Sequence, residues 1–205
     1  MIAIVDYGLG NLGSIKNMLK KIGVESQITG DISAIDSATK LILPGVGAFD
    51  NGMENLNATG LHECLNRKVL QQKTPILGIC LGMQLMTKSS EEGKLQGLGW
   101  IDAQTIKFRF DDPAQLKTVP HMGWEYVNAV KKSNLIKDMH ADPRYYFVHS
   151  YYVNCMERSD ELLLANYGND FVAGFERDNI VGVQFHPEKS HKYGMRLLKN
   201  FIENY

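Results

Sequence analysis

Cysteine is scarce in this chain and comes in an odd number. There are three, Cys64, Cys80 and Cys155. No two stand at the close spacing of a zinc site or a CxxC redox pair, which argues against a disulfide scaffold and a structural metal. A reducing, cytoplasmic setting is the simplest home for such thiols. An excess of one charge is missing too: 22 Lys and Arg stand against 23 Asp and Glu, a formal net charge of −1. No strongly basic face is implied, and nucleic acid is not expected as a partner. No apolar run approaches the roughly 18 residues of a membrane helix. The opening MIAIVDYGLG has no basic leader before its short apolar stretch, so no signal peptide and no membrane partner are expected. Repeats, linkers and low-complexity segments are absent as well.

What is present is a chain of 205 residues, 44% of them hydrophobic. That suits one compact domain spanning 1–205, with a core it can bury unaided. Met1 to Val5 reads as a short strand. Leu12, Ile15, Leu19 and Ile22 then recur at helical spacing until Gly23. Gln27 to Thr29, Leu41 to Leu43 and Ile76 to Ile79 read as further strands. Helical spacing lies between the last two, over Leu56 to Leu70, and again from Leu81 to Thr87. This alternation predicts an α/β fold with a parallel sheet covered on both faces. After Gly93 the runs IDAQTIKFRF, YYFVHSYYV, ELLLANYG, DFVAGFERD and NIVGVQF are strand-like, with a hairpin turn at Asp178-Asn179. Met195, Leu198, Phe201 and Ile202 mark a closing helix. The expected sheet is mixed, with a βα half followed by a more antiparallel half.

The stretch PILGICLGMQ, Pro75 to Gln84, sets a cysteine between two glycines where a strand meets a helix. Gly78-Ile79-Cys80-Leu81-Gly82 has the form G-x-C-x-G, the thiol version of the G-x-S-x-G elbow. Such a turn presents a nucleophile on the functional edge of an open α/β sheet. The helix N-terminus beneath it favours thiolate and offers free N–H groups to an oxyanion. Free cysteine is also a common small buried residue, so the pentapeptide alone leaves both readings open. Cys64 and Cys155 have no elbow around them and read as structural.

A thiol nucleophile needs a base, usually a histidine oriented by a third group. Of the six histidines, His186 ends an apolar strand in VGVQFHPEKS. Pro187 biases His186 toward extended backbone, where residues two apart share a face. Glu188 is therefore expected beside the imidazole, to fix its tautomer. A strand-end histidine alone reads better as a turn cap. Paired with the elbow, it reads as a base. His62 and His140 sit in polar contexts and read as solvated, and His191 as a cap on the last helix.

Together GICLGMQ, FHPE and the upstream PGVGAF resemble the class I (triad) glutamine amidotransferase family, in the family's order. VDYGLGN, LPGVGAF, SSEEG, GLGW, PHMGW, YFVHSYY and QFHPEKS extend the likeness from Asp6 to Ser190. They are similar to the branch of glutaminase subunits that serve imidazole glycerol phosphate synthase in histidine biosynthesis. The resemblance implies a three-layer, flavodoxin-like fold and no cofactor or metal. It implies that Cys80 attacks the side-chain amide of L-glutamine, with His186 as base and acid and Glu188 orienting it. A glutamyl thioester follows, and water releases glutamate. Leu81 and the PGVG loop, at Val46 or Gly47, would be the oxyanion donors, worth about 10²–10³ in rate, and the PGVG peptide would reorient before donating. Gln84, Glu92, Ser150 and Tyr151 match positions that hold the glutamine's α-amino and α-carboxylate groups. Ammonia is mostly protonated in neutral water, so the resemblance also implies a tunnel and a partner. That partner is a cyclase subunit of (β/α)8-barrel type, forming a heterodimer. Asn11, Trp124, Tyr146 and Lys189 match positions near its docking surface. Ordinary roles compete for these four: a helix cap, a core aromatic, a strand residue and a solvated lysine.

One position departs from the pattern. PHMGW is followed by Glu125, where the histidine-pathway motif has Asn. A carboxylate there would change pairing across an interface. A second branch therefore stays open: paralogues that supply ammonia to a sugar amidotransferase in surface-polysaccharide (O-antigen) biosynthesis. Two other classes share features of the chain. A thiol hydrolase of γ-glutamyl hydrolase or DJ-1-like type would use the elbow but act alone. A flavodoxin-like binding module would not need both Cys80 and His186-Pro187-Glu188.

Overall fold

The computed structural model describes residues 1–110 and 117–205. In chain order the elements are β1 (Ile2–Val5), α1 (Leu12–Lys21), β2 (Ser26–Thr29), α2 (Ile32–Ser37), β3 (Lys40–Gly45), α3 (Phe49–Ala58) and α4 (Leu61–Asn66). There follow β4 (Ile76–Cys80), α5 (Leu81–Leu85), β5 (Ser89–Ser90), β6 (Ala103–Lys107), β7 (His121–Tyr126), β8 (Asn128–Ala129) and β9 (Arg144–His149). β10 (Tyr151–Cys155), β11 (Glu161–Tyr167), β12 (Asn169–Arg177), β13 (Ile180–Val183) and α6 (His191–Asn204) complete the order.

The main sheet runs β2-β1-β3-β4-β13-β12-β10-β6-β5, with β11 and β8 branching from β12. β2, β1, β3, β4 and β13 are parallel neighbours, whereas β12 pairs antiparallel with β13, β10 and β11. β7 and β9 form a separate antiparallel pair. The mixed, mostly parallel sheet expected from the alternation is the one observed, and flanking helices complete three layers.

Each layer follows from side-chain period. Strand residues point alternately to opposite faces. Ala3 and Val5 of β1, with Leu41 and Leu43 of β3, pack against Phe49, Leu56, Leu65 and Met83. Ile2, Ile4 and Ile42 pack the other way, against Ile15, Leu19, Leu198 and Phe201. Thus α2–α5 cover one face and α1 and α6 the other. Both faces being dry, the central strands read as continuous apolar runs rather than alternating ones. A fully buried Leu or Phe contributes about 2 kcal/mol relative to exposure. α6 buries Gly194, Leu197, Leu198 and Phe201, an i, i+3, i+4, i+7 stripe. α1 stops at Gly23 in left-handed backbone (φ +84), with Gly23 N–H bonded to the Lys20 carbonyl and Val24 N–H to that of Leu19. Those two bonds close the helix end.

Two segments differ from the sequence expectation. The helical spacing over Leu56 to Leu70 is broken at Gly60 (φ +70), which ends α3 and starts α4. The spacing persists across the break because both helices lie on the same sheet face. The run YYFVHSYYV is two strands rather than one: β9 joins the small sheet and β10 the main one, with the break at Ser150. Among the described residues no helix is long and apolar enough to cross a membrane.

One of the tightest approaches in the fold lies between α5 and β3. A Cβ on Gly82 would collide with the Leu43 carbonyl, a backbone atom that cannot rotate away. Gly82→Ala is expected to cost about 3 kcal/mol by overpacking. Gly23→Ala has open space around its Cβ and is expected to cost only about 1–2 kcal/mol through its backbone conformation. Urea titrations of the two variants against the wild type check the order.

Candidate active site

β3, β4 and β13 end side by side, with Gly45 opposite Cys80 and Val183 opposite Ile79. The residues that follow each strand therefore meet at the carboxyl edge of the sheet, where open α/β folds place their sites. Cys80 is the last residue of β4 and the cap of α5, at φ +54 and ψ −113. A non-glycine residue held there is strained unless its surroundings enforce it. They do so through close contacts at small residues. A Cβ on Gly78 would lie 2.7 Å from Met86 Cε, one on Gly82 would strike Leu43, and one on Gly45 would lie 2.9 Å from Leu81 Cβ. The elbow glycines are thus required for room.

His186 follows β13 and is held on both sides. Its N–H donates to the Tyr146 carbonyl (2.9 Å), and its own carbonyl accepts from Ser190 Oγ (2.6 Å). His186 Nδ1 lies 2.8 Å from Glu188 Oε1, both side chains almost fully buried (2% and 1% exposed). The pair forms by a different route from the one expected. His186 is extended (φ −99, ψ 96), but Pro187–Lys189 is a single 3₁₀ turn that folds Glu188 back onto the imidazole. Nε2 is buried with no completed hydrogen bond. Burial alone would depress the imidazole; the Glu188 hydrogen bond and the charges of the nearby Cys80 and Glu188 outweigh it and raise His186 to about 10.

These groups border a cleft of about 270 Å³ lined by Val46, Gly47, Cys80, Leu81, Gln84 and Glu92 on one side. Ser150, Tyr151, His186 and Lys189 line the other, with Pro120, Val148 and His149. Every residue matched to an oxyanion or glutamine-holding position therefore lines one cleft, and Glu188 stands behind His186. Glu92 Oε2 accepts from Phe49 N–H (2.9 Å) at the start of α3. Gln84, buried, donates to the Tyr151 carbonyl (3.1 Å). Gly47 takes φ +126, and Val46 is exposed.

Trp124, Tyr146 and Lys189 form a cluster beside the cleft. Trp124 and Tyr146 are cross-strand partners in β7–β9, their rings 6.2 Å apart, and Lys189 Nζ sits 5.7 Å over the Tyr146 ring. Trp124 is 39% exposed, so it is not a core aromatic. Asn11 occupies the cap position of α1 but makes no side-chain cap bond, and α1 packs on the Pro187–Lys189 turn. His191 is the first residue of α6, at φ +47, and stacks on Trp124 at 5.6 Å. Ser190, not His191, occupies the cap position of that helix, without a side-chain cap bond. His62 and His140 are half-buried, His62 bonded to Asn57 at 2.7 Å. Among the described residues no group of three or more His, Cys, Asp or Glu is placed to hold a metal ion.

Sequence pattern does not single out His121 and His149, yet the structure brings them to the site. They are register partners in β7 and β9 and lie buried together, His121 Nδ1 3.0 Å from His149 Nε2. His149 Nδ1 is 2.7 Å from the Tyr151 carbonyl. A carbonyl only accepts, so His149 carries its proton on Nδ1 and His121 donates to its Nε2. Burial lowers His121 to about 4 and His149 to about 3.

The two kinds of histidine pull stability in opposite directions with pH. In the unfolded chain each titrates near 6.5. His121 and His149 are depressed in the fold, so their contribution is complete above about 6.5 and is lost as pH falls toward 4 and 3. His186 is raised, so its contribution is complete below about 6.5 and is lost as pH rises through about 10. Chemical denaturation at stepped pH is expected to show stability falling between pH about 6.5 and 4. The double variant His121→Phe, His149→Asn is expected to flatten that acid limb, and an unchanged limb would refute the assignment.

The sequence matches the class-I glutamine amidotransferase family over residues 3–205. It is 56% identical over 203 residues to imidazole glycerol phosphate synthase subunit HisH 2 of Methanococcus maripaludis, covering 99% of both chains. It is 47% identical over 204 residues to the subunit of the same name from Pseudomonas aeruginosa, again covering 99% of both. In fold it is similar to a crystal structure of a glutamine amidotransferase, with a TM-score of 0.76 at 18% identity, covering 98% of this chain and 97% of that one. The structure of PurLQS from Thermotoga maritima gives a TM-score of 0.72 at 16% identity, covering 98% and 96%. The chain therefore belongs to the class-I glutamine amidotransferase family and is a glutaminase-type enzyme of that family.

Proposed function

We propose that this chain is the glutaminase subunit of an imidazole glycerol phosphate synthase, a single catalytic domain that releases ammonia from L-glutamine for a cyclase partner. The reading rests on one observation: Cys80, in strained backbone, lines the same cleft as an imidazole locked to a buried carboxylate at 2.8 Å. Curated relatives that span the whole chain and carry the name of that subunit support it.

In this reading His186, raised well above neutrality, holds the thiol proton before attack, and the Cys80 thiolate adds to the side-chain carbonyl carbon of glutamine. The carbonyl oxygen becomes an oxyanion, met by the Leu81 N–H and by a donor from Val46–Gly47. His186 then returns its proton to the departing nitrogen, and ammonia leaves a γ-glutamyl thioester. Water, deprotonated by the same imidazole, adds to the thioester, and thiol and glutamate separate. Glu188 holds the tautomer and supports the imidazolium throughout. Glu92, Ser150 and Tyr151 fix the amino-acid end, with Gln84 bracing the Tyr151 carbonyl. The Trp124–Tyr146–Lys189 cluster and Asn11 are the docking side for a (β/α)8-barrel cyclase, which receives the ammonia through a closed path.

Glu125 favours a second partner. Its carboxyl is half-buried and raised by burial, 3.9 Å from His121, with Lys117 opposing the shift. A partner that offers it a donor need not be the histidine-pathway cyclase, and a cyclase-like subunit of a sugar amidotransferase is the alternative.

Cys80→Ala is expected to abolish glutamine hydrolysis, by about 10⁴-fold or more, and to leave partner binding intact. A glutamine-like electrophile is expected to label Cys80 ahead of Cys64, which burial raises, and Cys155, which burial and Asp160 push up to about 12. Mass mapping of the labelled thiol and glutamate release by the variant check both. Retained hydrolysis without Cys80 would sink the reading. Glutamate release with the histidine-pathway cyclase and its nucleotide ligand decides the partner: strong stimulation supports the first, none the second.

A further inference from the structure

Gln184 is a buried polar residue beside the nucleophile that the chemistry above leaves unused. It follows β13 in the apolar run VGVQF and is wholly buried (0% exposed). An amide removed from water has to find partners for both ends. Its Oε1 accepts from Gln84 Nε2 at 3.0 Å, and its Nε2 lies 3.7 Å from Cys80 Sγ.

The two ends of an amide are alike in shape, so the hydrogen-bond network has to decide which faces the sulfur. The Tyr151 main-chain carbonyl makes that decision. It can only accept, and Gln84 Nε2 reaches it at 3.1 Å. The Gln84 NH2 therefore points to that side, and its second hydrogen meets Gln184. Gln184 has to answer with oxygen, which leaves its own NH2 for Cys80. The same carbonyl takes His149 Nδ1–H at 2.7 Å, and His149 is itself ordered by His121. Two chains of ordered protons thus converge on one oxygen, and neither can reverse without breaking there.

We propose that Gln184 is a further catalytic residue, donating a side-chain N–H to the Cys80 sulfur and favouring its thiolate, with its orientation dictated by the Tyr151 carbonyl through Gln84. The inference rests on Cys80 being the nucleophile. A hydrogen bond to an anion is stronger than one to a neutral group. The donor therefore holds the sulfur most when it is charged, before attack and again as the thioester breaks. It holds it least while sulfur is bonded to carbon.

The test is the pH dependence of Cys80 alkylation by iodoacetamide in the full chain, with the labelled peptide identified by mass. Gln184→Met keeps the shape and removes the donor. Its midpoint is expected to rise by about one pH unit, so that labelling at neutral pH slows about tenfold. Gln184→Glu, which turns an acceptor toward the sulfur, is expected to rise further. Gln84→Met frees the Gln184 amide to rotate and is expected to shift the midpoint the same way by less. A packing role alone would lower the thermal midpoint and leave the pH profile in place. A wild-type profile in the Gln184 variants would overturn the proposal. If neither of those variants folds, an unmoved profile in Gln84→Met overturns it. Failure of the nucleophile assignment shows separately, as glutamine hydrolysis that survives Cys80→Ala.

Discussion

The close approach of α5 to β3 is the constraint on which the rest of the molecule depends. Gly82 lies against the Leu43 carbonyl, and Gly45 lies under Leu81. Only with the helix that near does the chain turn from β4 into α5 at a single residue. That residue is Cys80, at φ +54. A wider turn would relax the backbone and withdraw the sulfur from the cleft. Backbone strain here is offset by the packing of Leu81, Met83 and Leu85 into the core on the α3 side. The stored strain and the reactivity of the site have one origin.

Electrostatics in the cleft is sorted by partner rather than by burial. His186 and His149 are both buried and both line the cleft. Burial pushes both toward neutrality. His186 has a carboxylate and a sulfur beside it and goes up; His149 has a carbonyl and the imidazoles of His121 and His186 near it and goes down. The site thereby holds one imidazole that exchanges protons and two that keep theirs in place. The fixed pair gives Tyr151 a defined carbonyl, and that carbonyl orders Gln84 and Gln184 in turn.

Much of this was legible in the sequence where the chemistry is local. The elbow needs five consecutive residues, and GICLG carries all of them. HPE carries its own base and carboxylate, although the contact comes from a 3₁₀ turn and not from extended chain. The αβ alternation was legible because dry parallel strands leave continuous apolar runs. What was hidden depends on pairing between distant segments. His121 and His149 meet through the register of β7 and β9, which no local pattern encodes. The division of YYFVHSYYV at Ser150 carries no Gly or Pro to mark it; two different sheets claim its halves. Gln184 did leave a trace, a polar side chain inside an apolar strand run, and the structure supplies the reason for it.

Ser190 gives the assembly a mechanical property. Its hydroxyl accepts the Tyr146 N–H at 3.0 Å and donates to the His186 carbonyl at 2.6 Å, and the His186 N–H returns to the Tyr146 carbonyl at 2.9 Å. Three short bonds rivet the backbone of β9 to the backbone of the base, with no compliant loop between them. Tyr146 belongs to the exposed aromatic cluster, and His186 belongs to the cleft. Force applied to the cluster is therefore transmitted to the imidazole with the stiffness of a sheet, and the surface and the reaction centre move as one body.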